Sequence, residues 1–544
     1  CTTSKMTTAN LVEGNATEIN NSKLNLKDQI LLEEFYKNNK LKEPTKDVIV
    51  AVIDTRIDIN HEELKGRIWT NKNEIPNNNV DDDTNGYVDD VNGWNFIGTK
   101  SGNYTVWTNF EYIRIIRKWD SVFKNKKQDE ISNSDKENYS QYQTAIKYYS
   151  YYRNYYSEYL KSIQYSEKIF PLAKDTLKHF FPKEDYNFVK LDSLYKIYGK
   201  NKNYSQMRDN EDKELDALIY DMMANIESNI KSVTELTDKK NELDSILNKN
   251  LNLDYNERIF IGDNPELLEK GYGNNTISKN IPGIKQIKNH STKVAGLIAA
   301  NRENNIGIKG FSDHIKIMPL SVSCSGDEHD KDIAMAIYYA VDNGAKVINM
   351  SFSKSFSLNK LWVEEAIKYA QSKNVLLVHG AGNGKINLDS FANYPNDYDY
   401  LKKSEIASNF INVGSVTSKL DTTFVSSFSN YGKENVDLFA PGDQIYTPIQ
   451  DNKYAFDSGT SLSAPMVSGT AALIWLYYPS LTVQEVKKII LDSGTSYDIE
   501  VLIPGGEGKK APFKDLSKSG KVLNVLNAMK MAAEMSKKGN NYNK

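Results

Sequence analysis

Three short segments carry the residue types needed for nucleophilic attack on an acyl carbon. Asp54 ends the run Val48-Ile49-Val50-Ala51-Val52-Ile53, His290 sits in Asn289-His290-Ser291-Thr292-Lys293-Val294-Ala295-Gly296, and Ser461 sits in Ser458-Gly459-Thr460-Ser461-Leu462-Ser463-Ala464-Pro465. A serine hydroxyl is a poor nucleophile at neutral pH unless a neighbouring base takes its proton, and the base works best when a third group fixes its tautomer. Taken singly, each piece is ordinary: a strand-end Asp caps backbone, a helix-start His packs, and Gly-Thr-Ser turns the chain. Together they supply an acid, a base and a nucleophile.

The elements that must hold these groups are legible as periodic segments. The β-branched run 48–53 predicts a strand buried on both faces, and similar short apolar runs recur at 316–321, 346–351, 374–378 and 410–416. Helical patterns at 331–343 and 360–372 alternate with them. That alternation predicts an α/β fold, a doubly wound and mainly parallel sheet with helices on both faces and reactive groups at the carboxyl ends of strands. Residues 463–477 predict a long buried helix lined by small side chains, and 482–492 and 522–535 predict closing helices.

Composition excludes several classes. The chain has 544 residues, 68 Lys plus Arg against 71 Asp plus Glu, 39% hydrophobic and 26% charged residues. It is neither a disordered acidic chain nor a basic nucleic-acid binder, so no nucleic-acid partner is expected. Its apolar runs fall short of the roughly 20 residues of a spanning helix. With two cysteines, Cys1 and Cys324, it has no disulfide framework.

Between residues 99 and 280 the text changes, for this stretch holds 19 of the 34 tyrosines. Tyr148, Tyr152, Tyr155 and Tyr159 share one helical stripe, as do Leu215, Ile219, Met222 and Ile226. An all-helical insertion of three or four helices is expected, with the tyrosine stripe packed inward and Tyr149 and Tyr156 facing out as a surface for a protein partner. The domain scheme is therefore a lead-in and tether over 1–46, a catalytic domain in two parts over 47–98 and 281–535, the insertion over 99–280, and a polar tail over 536–544.

The chain resembles the subtilisin-like serine proteases, or subtilases, at Val50-Ala51-Val52-Ile53-Asp54-Thr55, at His290-Ser291-Thr292-Lys293-Val294-Ala295-Gly296, at Val347-Ile348-Asn349-Met350-Ser351-Phe352-Ser353, at Ala381-Gly382-Asn383-Gly384 and at Ser458 to Pro465. The order Asp, His, Ser is that family's. The resemblance covers about 47–96 and 283–534. It implies a serine endopeptidase in which Asp54 orients, His290 is the general base and then acid, Ser461 is the nucleophile, and Asn383 donates its amide to the oxyanion beside the Ser461 N–H. It implies no cofactor for the chemistry. It further implies that an extended peptide or protein substrate lies against Ser351, Phe352 and Ser353 and against Gly380, Ala381 and Gly382, with Asn393 at a neutral pocket floor. The chain departs from the family pattern at Arg56, Ser291 and Lys293, and a guanidinium at Arg56 is placed to compete with His290 for Asp54. The rival reading is a catalytically idle scaffold or partner-binding lipoprotein in a cell-envelope assembly.

Two further expectations lie outside the triad. In the loop 81–90, Asp81, Asp83, Asn85 and Asp89 offer oxygens at calcium-loop spacing with Gly86 after the third, although plain Asx turns have the same composition; Glu63 with the loop 301–306 is a second candidate for Ca2+. Cys1, followed by a polar, Asn-rich stretch, is similar to the processed end of an exported bacterial lipoprotein. A lipid on Cys1 would then tether the chain to a membrane of the cell envelope; the alternative, that the given sequence merely starts at a cysteine, stays open.

Overall fold

The computed structural model describes residues 30–39, 44–280 and 287–542; Cys1 and most of the expected tether lie outside the described residues. The chain forms two compact units, one of residues up to Glu111 and from Glu257 onward, the other of Tyr112–Asn256.

The first unit is built on nine strands. They are β1 (Val48–Asp54), β2 (Trp94–Asn95), β3 (Ile315–Ser321), β4 (Val347–Met350), β5 (Leu376–Gly380), β6 (Phe410–Val416) and β7 (Leu438–Pro441), then, after a separate hairpin of β8 (Ile445–Ile449) and β9 (Lys453–Asp457), β10 (Thr495–Ser496) and β11 (Lys521–Val522). Their order across the sheet is β10-β11-β7-β6-β5-β4-β1-β3-β2, and every pairing except β10 with β11 is parallel. Parallel strands need both faces covered, which is why β1 is apolar at nearly every position. Val48, Val50 and Val52 pack with helices Asn289–Ala299 and Thr460–Tyr477, whereas Ala51 and Ile53 pack with helices Asp330–Asp342 and Lys360–Ser372. The expected doubly wound sheet is the observed one.

Helix Thr460–Tyr477 is buried along almost its whole length, as an evenly apolar helix must be. It starts three residues earlier than its sequence pattern predicts, so Ser461 lies in its first turn. At the other end, helix Val525–Tyr542 runs through most of the expected polar tail. The described part of the expected lead-in is folded: Ile30, Leu32 and Phe35 belong to the main core, and the Tyr36 hydroxyl donates to the Phe311 carbonyl at 2.6 Å.

The helical unit is shorter than the compositional shift. Residues 99–111 and 257–280 fold with the first unit because their polar groups are satisfied there: Asn95 and Asn274 exchange backbone bonds of 2.8 and 3.0 Å, and Trp94 Nε1 donates to Tyr272 O at 2.8 Å. The helical unit holds five α-helices that start within it and the larger part of a sixth, more than expected, including the 42-residue Lys136–Leu177. Its tyrosine pattern also corrects the expectation. Tyr156 is buried, while Tyr155 on the predicted inward stripe is 44% exposed: the buried line of this helix runs through Tyr142, Ala145, Tyr156 and Ile163 and not through the stripe of Tyr148, Tyr152, Tyr155 and Tyr159.

Candidate active site

Asp54 ends β1, where its register partner on β3 is Ser321, and it is 2% exposed. The Thr55 N–H donates to Asp54 Oδ1 at 2.6 Å. Across the sheet end, His290 opens helix Asn289–Ala299 and its Nδ1 lies 2.7 Å from Asp54 Oδ1 and 2.9 Å from Oδ2. Bonding Nδ1 to a carboxylate assigns the proton to that nitrogen and leaves Nε2 to accept. Burial acts to lower the His290 pKa, but the charge and hydrogen bond of Asp54 outweigh it, and the net value lies above the ordinary 6.5. One edge of the ring stays open, for the side chain is 38% exposed.

Arg56 does not compete for Asp54. Its Nη1 donates to Lys279 O at 2.6 Å, its Nη2 to Thr276 Oγ1 at 3.2 Å, and the guanidinium stacks 4.7 Å from the Tyr104 ring centre. Residues 276–279, expected in the insertion, return to meet the Arg56 guanidinium and hold it away from Asp54.

Ser461 lies in the first turn of its helix, where N–H groups have no carbonyl one turn back to bond. Its hydroxyl donates to Ser351 O at 2.9 Å, and the Ser351 hydroxyl donates to Ser461 O at 2.9 Å. Among the described residues no hydrogen bond joins Ser461 Oγ to His290.

The Asn383 amide is oriented by Thr460, a residue the sequence did not single out. Asn383 Oδ1 accepts from the Thr460 N–H at 3.0 Å and from Thr460 Oγ1 at 3.1 Å, while Thr460 Oγ1 accepts from the Gly382 N–H at 3.0 Å. A backbone N–H can only donate, so Oδ1 is the end facing Thr460 and Nδ2 is left to donate elsewhere. A Cβ on Gly459 would stand 3.5 Å from Asn383 Nδ2, 3.8 Å from the Ser461 N and 4.0 Å from Asn383 Oδ1, so both nitrogens line the space beside that glycine.

The expected substrate strands also meet here. Gly382 has a φ of +99°, and a side chain there would collide with Asn430, Ser353 and Asn393. Asn393 Nδ2 donates to Ala381 O at 2.9 Å, so it is a strut of the 380–382 segment. Asn430, also missed from sequence, donates to the same carbonyl at 2.8 Å and accepts from the N–H groups of Gly384 and Ile386. Nothing in its neighbouring residues marks it. Phe352 lies against His379, whose imidazole is bonded to Asn412 Oδ1 and pushed down to about 4 by burial.

The loop 81–90 regroups the expected metal ligands. Asp81 accepts from the N–H groups of Asn85 and Gly86, Asn85 Oδ1 from that of Tyr87, and Asp89 from those of Asn78 and Asn79. These side chains satisfy their own backbone. Asp83, which also accepts from the Asn85 N–H at 3.1 Å, gathers with Glu74 and Asp90, their oxygens within 4.8 Å of one another. Burial, as the largest cause, raises the pKa of both Glu74 and Asp90, and among the described residues none of the three is paired with a Lys or Arg. Glu63 belongs to no such cluster among the described residues; its carboxylate accepts from Ile308 N at 2.6 Å and from Asn304 Nδ2 at 2.9 Å.

The chain is similar to the thermophilic serine proteinase of Bacillus sp. (strain AK1), with 39% identity over 189 residues, 35% of this chain and 43% of that protein. It is similar to thermitase of Thermoactinomyces vulgaris, with 35% identity over 213 residues, 39% of this chain and 70% of that protein. A cold adapted subtilisin-like serine proteinase of known structure aligns at 27% identity and a TM-score of 0.34, covering 45% of this chain and 74% of that one. The model of the subtilase family matches residues 45–518, which takes in Asp54, His290, Asn383 and Ser461 together, and the chain belongs to that family.

Proposed function

We propose that the protein is a serine endopeptidase acting on extended peptide segments. The observation that carries this reading is the Asp54–His290 bond at the buried strand end, beside a serine whose helix start shares a donor space with Asn383. A turn of Ser461 about χ1 from one staggered well to another releases its hydroxyl from Ser351 O toward His290 Nε2. Oγ then attacks the peptide carbonyl while Nε2 takes its proton, and the buried Asp54 stabilises the imidazolium. The Ser461 N–H and Asn383 Nδ2 receive the oxyanion. Collapse breaks the C–N bond, His290 returns the proton to the leaving amine, and water hydrolyses the acyl-enzyme by the same two transfers. The segments Ser351–Ser353 and Gly380–Gly382 supply backbone for strand addition by the substrate.

The bond between Ser461 and Ser351 favours the rival reading, an idle subtilase-fold scaffold. A fluorophosphonate probe decides between them: the endopeptidase is labelled at Ser461 and the Ser461→Ala variant is not. An unlabelled Ser461, where an ordinary serine protease reacts, refutes the reading.

We also assign Glu74, Asp83 and Asp90 as ligands for a structural Ca2+. The donor set fits, since hard oxygens suit that cation and three crowded carboxylates, two of them buried, lack a cationic partner among the described residues. Its role would be to hold the 74–90 loop.

A further inference from the structure

Lys293 stands one helical turn beyond His290 and reaches the Asp457 carboxylate at 2.6 Å. Asp457 ends β9, four residues before Ser461, so this ion pair joins the helix that carries the imidazole to the strand that leads to the hydroxyl. The other Asp457 oxygen accepts from the Ser458 N–H at 2.8 Å, and the Ser458 hydroxyl accepts from the Gln444 N–H at 2.9 Å. The Lys293 side chain is 15% exposed, so its charge is only partly screened by water.

Three charges act on His290: Asp54 from β1, Lys293 from its own helix and Asp457 from β9. The other cations near this end are engaged elsewhere, Arg56 with Lys279 O and Thr276, and Lys288 with Asp58 at 3.5 Å. We propose that Lys293 and Asp457 are a matched pair of positioning residues that sets the acid limit of the reaction through His290. Lys293 disfavours the imidazolium and Asp457 favours it; bonded to each other, they largely cancel. Removing one unmasks its partner, so the two single substitutions act with opposite sign. This inference rests on the endopeptidase reading.

The test is the pH dependence of the fluorophosphonate labelling rate at Ser461 in the full chain. Lys293→Met should move the acid limb to higher pH by about half a unit, as expected for one partly screened charge, and Asp457→Asn should move it to lower pH by a similar amount. The double variant and Lys293→Arg should both return to the wild-type limb. Single variants that shift in the same direction, or do not shift, overturn the pairing, as does a double variant that stays with either single one. Urea midpoints identify a variant that fails to fold, in which case Lys293→Gln replaces Lys293→Met and must meet the same sign. A wild-type chain that is not labelled at any pH sinks the endopeptidase reading itself, whereas a labelled wild type with unmoved limbs sinks only the pair.

Discussion

In the proposed endopeptidase Asn383 has two jobs on the two ends of one amide, and substitutions can separate them. Its Oδ1 satisfies the Thr460 N–H and hydroxyl, and Thr460 is 1% exposed; its Nδ2 faces the space beside Gly459 where the oxyanion would form. Asn383→Ala removes both. Loss of the Nδ2 donor alone should lower kcat by about 10²–10³, a loss already characteristic of this donor in the family, which corresponds to about 2.7–4 kcal/mol of transition-state stabilisation. Loss of the Oδ1 acceptor leaves a buried N–H unpaired at a cost of about 1–3 kcal/mol in folding stability. Asn383→Asp keeps an oxygen toward Thr460 and puts a second oxygen, negatively charged at pH 8, where the donor was. It should therefore keep near wild-type stability while losing at least as much activity as the alanine variant. Initial rates on a chromogenic peptide amide, together with urea midpoints at the same pH, test both halves. An aspartate variant within tenfold of wild-type activity would refute the donor role of Nδ2. Equal stability of the two variants would refute the assignment of Oδ1 to Thr460.

Lys354, directly after the proposed substrate segment, is fully buried with Glu111 at 3.3 Å and Asp330 at 2.6 Å; Lys354→Met takes the ammonium from between two buried carboxylates and should cost about 3–5 kcal/mol in urea unfolding, and a loss under about 1 kcal/mol would be inconsistent with that. Asp397 is pushed up to about 8 by burial. A carboxyl whose folded value is raised stabilises the fold at low pH, and that contribution is lost as pH climbs through about 8, so the urea midpoint should fall between pH 5 and pH 9 and the fall should shrink in Asp397→Asn. Millimolar Ca2+ should raise the melting temperature of the wild type and a chelator should reverse the rise, with both responses blunted in Glu74→Gln. An equal calcium response in that variant would remove Glu74 from the ligand set.

Much of the catalytic unit was legible because its signals are local. A strand with both faces covered must be apolar throughout, so β1 and the Asp54 that ends it stand out in the text, and helix Lys360–Ser372 was predicted to the residue from its period. Helix Thr460–Tyr477 was misjudged at its start, since Thr460 and Ser461 carry no apolar period and enter the helix through capping by Asn383, far away in sequence. The loop 81–90 shows the same division. Alternating Asp and Asn announce a turn-rich loop, but which carboxylates serve the backbone and which gather with Glu74 depends on how the loop closes.

From residue types and order alone follow the α/β sheet, the subtilase family and the proposal of Asp54, His290, Asn383 and Ser461 as its site, because periodicity and motif are properties of neighbours along the chain. Tertiary structure alone decided that Arg56 turns to Lys279 and Thr276, that the Ser461 hydroxyl rests on Ser351, that Thr460 and Asn430 hold the site's backbone, and that Lys293 meets Asp457. Those outcomes depend on which distant groups folding brings within about 3 Å, a distance over which hydrogen bonds and ion pairs form or vanish, and no spacing in the chain encodes it.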